Sequence, residues 1–132
     1  MRVALLAACL FSSVSASLAE DSESIRPWFG NPWYWSYKGE PVLLIGGSDD
    51  DNLFQWPAEK LIPQLDRLAD SGGNVIRNTM SDRQDRGFEL YPFKRLSNGK
   101  YDLGKWNDAY WDRFEFMLAQ TASRDFVVQI EI

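Results

Sequence analysis

Residues 61–80 read LIPQLDRLADSGGNVIRNTM, and their apolar spacing changes from helical to strand-like at the paired glycines. Before Gly72-Gly73, apolar residues recur every three or four positions, which predicts a helix over Leu61–Ser71. Pro63 fits that helix only in its first turn, because proline lacks the amide hydrogen that later turns use. After the glycines, Asn74–Met80 carries the β-branched residues typical of a buried strand.

The alternation of strand and helix continues on both sides of this stretch. The runs 33–37 and 42–45 flank a Lys-Gly-Glu-Pro turn, which predicts a β-hairpin whose second strand enters the main sheet. Five large apolar residues at helical spacing predict a second helix over about 106–122: Trp106, Tyr110, Phe114, Met117 and Leu118. Residues 126–132 then predict a third strand. The order strand, helix, strand, helix, strand predicts an α/β fold with parallel strands.

The connections between these elements are unequal in length. The helix-to-strand links, 72–73 and 123–125, are short, whereas the strand-to-helix links cover about 46–60 and 81–105. Long loops at the carboxyl ends of parallel strands are where barrels and open α/β sheets place ligand sites. The last predicted strand has no polar tail, so we expect these residues to be the amino-terminal part of a longer protein.

Composition and charge exclude several classes of function. The chain has 14 Lys and Arg against 19 Asp and Glu, a net charge of −5, which disfavours nucleic acid and anionic membrane as partners. It has no histidine and a single cysteine, Cys9. A Ser-His-Asp triad, an internal disulfide and a histidine- or cysteine-based zinc site are therefore excluded, and we expect neither metal nor cofactor.

The first residues have the pattern of a secretory signal peptide. Met1-Arg2 is followed by an apolar run and then by small residues ending at Ala19, so we expect residues 1–19 to be removed and the protein to be secreted or periplasmic. A lipoprotein signal ending before Cys9 is the alternative. The apolar run is too short to span a bilayer. Residues 20–32 read as a polar leader, and residues 33–132 as the folded domain.

Two charged residues are predicted to be neighbours on adjacent strands. Because strand side chains alternate between faces, Arg77 shares a face with Val75 and Thr79, and Glu131 shares a face with Val127 and Gln129. Arg77 and Glu131 are then either a structural ion pair or part of a site in which the arginine holds a carboxylate or a sugar hydroxyl.

Further site candidates lie in the two long loops. Asp49 and Asp50 follow the first predicted strand, where turn and capping roles compete with contact to a polar ligand. Trp56 and Tyr91 are aromatic residues in loops, and aromatic planes match the C–H faces of sugar rings. The aromatic stripe at 33–37 is predicted instead to cover a core.

Several segments together resemble a known family. They are KGEPVLLIGGS at 38–48, LDRLADSGGNVIR at 65–77, YDL at 101–103 and WNDAYWDR at 106–113. They resemble the opening third of secreted glycoside hydrolases with a (β/α)8 barrel, in the cellulase-like clan and especially its apiosidase-like members. The resemblance covers nearly all of residues 30–132.

The resemblance implies the amino-terminal portion of a (β/α)8 TIM barrel that binds carbohydrate. It implies that Arg77 supports the catalytic nucleophile, and that both catalytic carboxylates lie on strands four and seven, beyond the end of this chain. This chain would then carry no catalytic residue and would be inactive alone. The alternatives are a non-catalytic carbohydrate-binding protein on the same scaffold and a small open α/β binding domain complete at Ile132. The oligomeric state stays open.

Overall fold

The computed structural model describes residues 24–48, 50–80 and 86–132, so the predicted signal peptide lies outside the described residues. The chain divides into two compact units, Met1–Leu43 and Leu44–Ile132. The fold is mixed α/β, with an antiparallel hairpin sheet in the first unit and a parallel pair of strands in the second. In the described ranges, neither helix is long and apolar enough to cross a membrane.

The first unit contains a three-stranded antiparallel sheet in the order β1-β2-β3. Its strands are β1 (Arg26–Trp28), β2 (Asn31–Tyr37) and β3 (Glu40–Val42). The predicted hairpin turn is confirmed, with Lys38 and Gly39 both left-handed at φ 53° and 83°, as a two-residue hairpin loop of type I′ requires. β1 was not predicted, because residues 20–32 read as a polar leader. β3 ends at Val42, earlier than the predicted second strand.

The second unit begins with a segment that only touches the parallel pair. Gly46 forms one isolated parallel bridge to Val75. Beside it, Asn74 donates its backbone N–H to Ile45 O at 2.8 Å and accepts from Ile45 N at 2.8 Å through Oδ1. The predicted continuous strand at 42–45 is therefore not formed. Instead, Ile45 and Gly46 bind Asn74 and Val75, where the first strand of the parallel pair begins.

Helix α1 (Ala58–Asp70) starts earlier than predicted, with Pro57 as its N-cap. Pro63 consequently lies in the second turn, which corrects its expected place in the first. Pro63 has no N–H, so the Glu59 carbonyl lacks its usual helical donor. Glu59 is exposed, so water can donate to this carbonyl instead. The helix ends as predicted, since Gly72 takes φ 78° and Gly73 N donates to Leu68 O at 2.8 Å in a Schellman arrangement.

Strands β4 (Val75–Thr79) and β7 (Val127–Glu131) pair in parallel, as predicted, with Arg77 opposite Gln129 and Thr79 opposite Glu131. Helix α2 (Asp108–Ala122) leads into β7 and starts two residues later than predicted. A hairpin of β5 (Phe93–Arg95) and β6 (Tyr101–Trp106) occupies what was expected to be loop.

The core of the second unit lies between the parallel pair and the two helices. Its fully or almost fully buried apolar side chains are Leu53, Phe54, Trp56, Leu61, Leu65, Ile76, Tyr110 and Met117. Three of these belong to the first long loop, where a 3-10 helix spans Leu53–Gln55. Asn78, buried in β4, accepts from Phe54 N at 3.1 Å and so fixes that loop across the sheet. The loop is thus partly core.

Candidate functional site

A two-point ion pair joins the parallel strands near their carboxyl ends. Arg77 Nε donates to Glu131 Oε1 at 2.6 Å, and Arg77 Nη2 donates to Glu131 Oε2. Gln129 adds a third donor, with Nε2 3.0 Å from Glu131 Oε1. The predicted proximity of Arg77 and Glu131 is observed, and both side chains lie on the strand face opposite the buried Ile76 and Asn78.

The ion pair fixes the charge state of both partners. Hydrogen bonding and charge attraction from Glu131 raise the pKa of Arg77. The hydrogen bond from Arg77 lowers the pKa of Glu131 below its usual 4.5, against smaller opposing effects that include desolvation and the nearby Asp51 charge. Glu131 is therefore a carboxylate near neutral pH and serves as a hydrogen-bond acceptor, not as a proton donor. The side chains remain 59% and 32% exposed, so solvent screens the attraction.

Asp51 brings a second carboxylate to this edge. Its carbonyl accepts from Thr79 N at 2.5 Å, which docks the first long loop on the end of β4. Its negative charge raises the pKa values of both Arg77 and Glu131. Asp51 directly follows Asp49 and Asp50 in the sequence, and Gln129 shares the strand face of Glu131, but neither was predicted to be a site residue.

Buried Asn52 and half-buried Thr79 have buried polar atoms near the same strand end. Asn52 is 1% exposed, and neither its Oδ1 nor its Nδ2 has a hydrogen-bond partner among the described residues; the same holds for Thr79 Oγ1. Buried polar atoms are normally hydrogen-bonded to protein or to water. A buried water molecule is the usual partner of such atoms.

The two predicted aspartates have different outcomes. Asp49 lies outside the described residues. Asp50 Oδ2 pairs with Arg86 Nε at 3.1 Å, and the Asp50 side chain is only 8% exposed. Asp50 Oδ1 also accepts from Asp51 N at 2.8 Å. Asp50 thus links the first long loop to Arg86 of the second and presents no free carboxylate to the Arg77–Glu131 pair; its turn or capping role stays a prediction.

The predicted aromatic sites also separate. Trp56 is 8% exposed and belongs to the core, so too little of its ring is exposed for a sugar to stack on it, which corrects the prediction. Its apolar neighbours in the loop fold inward with it. Tyr91 is half-buried, and one side of its ring meets Tyr101 at a centroid distance of 4.7 Å. It lines a groove with Glu89 and Arg95 and remains a candidate.

The hairpin aromatics behave opposite to expectation. Trp33 is 91% exposed and Trp35 is 47% exposed in the described structure, although the stripe was predicted to cover a core. A three-residue β3 leaves little sheet against which these rings could pack. Their period-2 spacing identified the shared face but could not identify what covers it.

A polar network holds the second long loop against the core. Gln55, fully buried, donates from Nε2 to Leu90 O at 2.9 Å and accepts from Leu90 N at 3.0 Å. Arg113 Nη1 donates to Gln55 O at 2.8 Å and to Phe88 O at 2.5 Å. Burial lowers the pKa of Arg113, and the Glu89 charge opposes that shift. These hydrogen bonds hold the loop that carries Tyr91 in one position against the core.

Metal binding has no support in the described part of the chain, where His, Cys, Asp and Glu side chains form no group of three that could hold an ion.

Comparison with protein-family models, curated proteins and solved structures gave no match to this chain. The described residues offer site chemistry at the strand ends, where a carboxylate and a guanidinium hold each other in place.

Proposed function

We propose that the chain is the amino-terminal part of a secreted glycoside hydrolase with a (β/α)8 barrel, acting on poly- or oligosaccharide. The single observation that carries the proposal is the Arg77–Glu131 ion pair at the carboxyl ends of two parallel strands. The sequence resemblance to the cellulase-like clan agrees with it. In this proposal β4 and β7 are neighbouring barrel strands, and the (β/α)8 closure is formed by residues after Ile132.

The polar edge suits a sugar more than a charged ligand. Arg77, Gln129 and Asp51 supply donors and acceptors within one small area, and Glu131 is held as an acceptor. Sugar hydroxyls are both donors and acceptors, so they can bind all of these groups without adding charge. The acidic net charge of the chain makes a polyanionic substrate a poorer match.

Glycosidic hydrolysis needs one carboxyl group that protonates the leaving oxygen and another that attacks the sugar or activates water. Glu131 does not suit the acid role, because Arg77 lowers its pKa. We assign both catalytic carboxylates to the fourth and seventh strands of the complete barrel. These barrel strands follow Ile132 and are distinct from β4 and β7 of this chain. Arg77 is then a positioning residue, which holds a carboxylate of the site at two points.

The proposal is tested by expressing the gene through to its stop codon and measuring reducing-sugar release from a panel of plant polysaccharides. We expect hydrolysis by the complete protein and none by the 132-residue chain. Mutation of the acidic residue at the end of the fourth barrel strand, which follows Ile132, to its amide should abolish activity. A reading frame without further strand–helix units, or a folded complete protein without hydrolysis of any panel member, would refute the proposal.

Export is tested separately. The mature protein should begin after Ala19, because Ser17 and Ala19 are the small residues that a signal peptidase selects. Intact-mass analysis of the secreted protein measures this directly. A mature protein that starts at a lipid-modified Cys9 would establish the lipoprotein alternative.

The second candidate is a carbohydrate-binding protein without catalysis. It is favoured by the exposed indoles of Trp106 and Trp111, 55% and 37% exposed, which suit sugar stacking and do not require a nearby acid. Retention of the folded complete protein on a polysaccharide, with no reducing sugar released, would favour this candidate over the hydrolase.

A further inference from the structure

A cluster of exposed aromatic side chains lies where β6 meets α2, apart from the Arg77–Glu131 pair. Trp106 ends β6 and is 55% exposed, and Trp111 lies in the first turn of α2 and is 37% exposed. Their rings meet edge to face, with centroids 5.2 Å apart and planes at 89°. The two indoles therefore form perpendicular walls.

Trp106, Asp108 and Trp111 line a shallow, open cleft with a volume of about 370 Å³. Asp108 Oδ2 lies 3.5 Å from Lys94 Nζ, and both side chains are mostly exposed. The rim thus offers an acceptor and donors whose charges cancel.

Packing fixes both indoles in place. Trp106 stacks on Phe93 with centroids 4.7 Å apart and planes 18° from parallel. Trp111 contacts Tyr110, which is 2% exposed, at a centroid distance of 5.1 Å. Walls that are already held in the binding geometry lose little conformational entropy when a ligand binds.

We propose that this cleft is a binding subsite for a neutral glycan chain, with Trp106 as its stacking platform. One sugar ring would lay its C–H face on the exposed indole, and its hydroxyls would bond Asp108 and Lys94. Because the rim has no net charge, a neutral sugar fits it better than a uronate. The choice of carbohydrate rests on the proposed function.

The connection from β4 to α2 places the cleft on the side of the fold expected to bind substrate. This connection leaves the carboxyl end of β4, passes through the β5–β6 hairpin and enters α2 at Asp108. Loops of this type surround the site in α/β barrels.

Native affinity electrophoresis of the secreted protein, in gels with hydroxyethylcellulose or soluble xylan, tests the subsite. We expect retardation in at least one neutral glycan and less in polygalacturonate. Trp106→Ala should raise the dissociation constant about tenfold, as the loss of one aromatic contact and its buried area implies. Trp106→Phe should retain most of the affinity. Trp33→Ala, which removes an exposed indole from the other unit, should change nothing.

Several outcomes would overturn the subsite. They are absence of retardation in both neutral glycans, unchanged retardation of Trp106→Ala, and stronger retardation in polygalacturonate. A size-exclusion shift from dimer to monomer on Trp106→Ala would assign the cleft to a second copy of the chain instead. Hydrolysis of a small aryl glycoside, measured in parallel, separates the two proposals: retardation without hydrolysis removes the hydrolase and keeps the subsite, and hydrolysis without retardation does the reverse.

Discussion

Replacement of Gly46 by alanine should weaken the fold at the point where the chain enters the parallel pair. A Cβ at this position would lie 1.7 Å from the Val75 carbonyl oxygen and 2.8 Å from Val75 Cγ1, whereas ordinary contacts are 3.4–4 Å. The nearest obstacle is backbone, so a side-chain rotation cannot relieve the clash. The bridge between Gly46 and Val75 must open.

The magnitude follows from the hydrogen bonds beside the bridge. Ile45 and Asn74 exchange two of them, each 2.8 Å long. Each such bond contributes about 1 kcal/mol net, so their loss costs about 2 kcal/mol before any overpacking strain. For a complete barrel of roughly 250 residues, that corresponds to a fall in Tm of roughly 4–8 °C.

Thermal unfolding followed by circular dichroism measures this effect, and Gly47 provides the matched control. A Cβ at Gly47 meets nothing within 4 Å, so Gly47→Ala should leave the free energy of unfolding within about 0.5 kcal/mol of wild type. Equal Tm values for the two variants would refute the argument that the Gly46–Val75 approach holds the first long loop to the sheet.

The remaining predictions concern Glu131 and Gln55. Because Arg77 lowers the folded-state pKa of Glu131, the pair stabilises the fold above the unfolded pKa, and this contribution is lost as pH falls through the folded pKa. The stability difference between wild type and Glu131→Gln should therefore shrink on acidification below about pH 4. An NMR titration that places the pKa of the Glu131 carboxyl at or above 4.5 would contradict this prediction. Gln55→Leu removes the partners of the half-buried N–H and C=O of Leu90 and should cost roughly 1–3 kcal/mol by urea unfolding. An unchanged urea midpoint would remove Gln55 from the network that fixes the second loop.

Local patterns were sufficient to predict the parallel pair and its charged contact. Helical spacing and the paired glycines located α1, since Gly72 supplies the left-handed residue that ends it. Strand alternation placed Arg77 and Glu131 on one face, and the parallel register then brought them within hydrogen-bond reach. These features depend on spacing along the chain.

Features that depend on tertiary contacts were not predicted. The buried 3-10 helix exists because Asn78, far along the chain, accepts from Phe54 N, and nothing local in the first loop signals that bond. Trp56 and Trp33 have the same side chain and opposite exposure, since a residue's type does not say which surface will cover it. The β5–β6 hairpin did have a local signal in Asn98-Gly99, where Gly99 takes φ 81°.

The role of the Arg77–Glu131 pair in the proposed hydrolase is tested most directly by measuring kcat of the complete protein with Arg77→Lys. Lysine keeps the charge but loses the planar fork that holds a carboxylate at two points. We predict a fall in kcat of about 10²-fold, typical of the loss of one preorganised donor, with Tm little changed. A variant that folds as wild type and keeps full turnover would contradict the proposal that this pair belongs to the site.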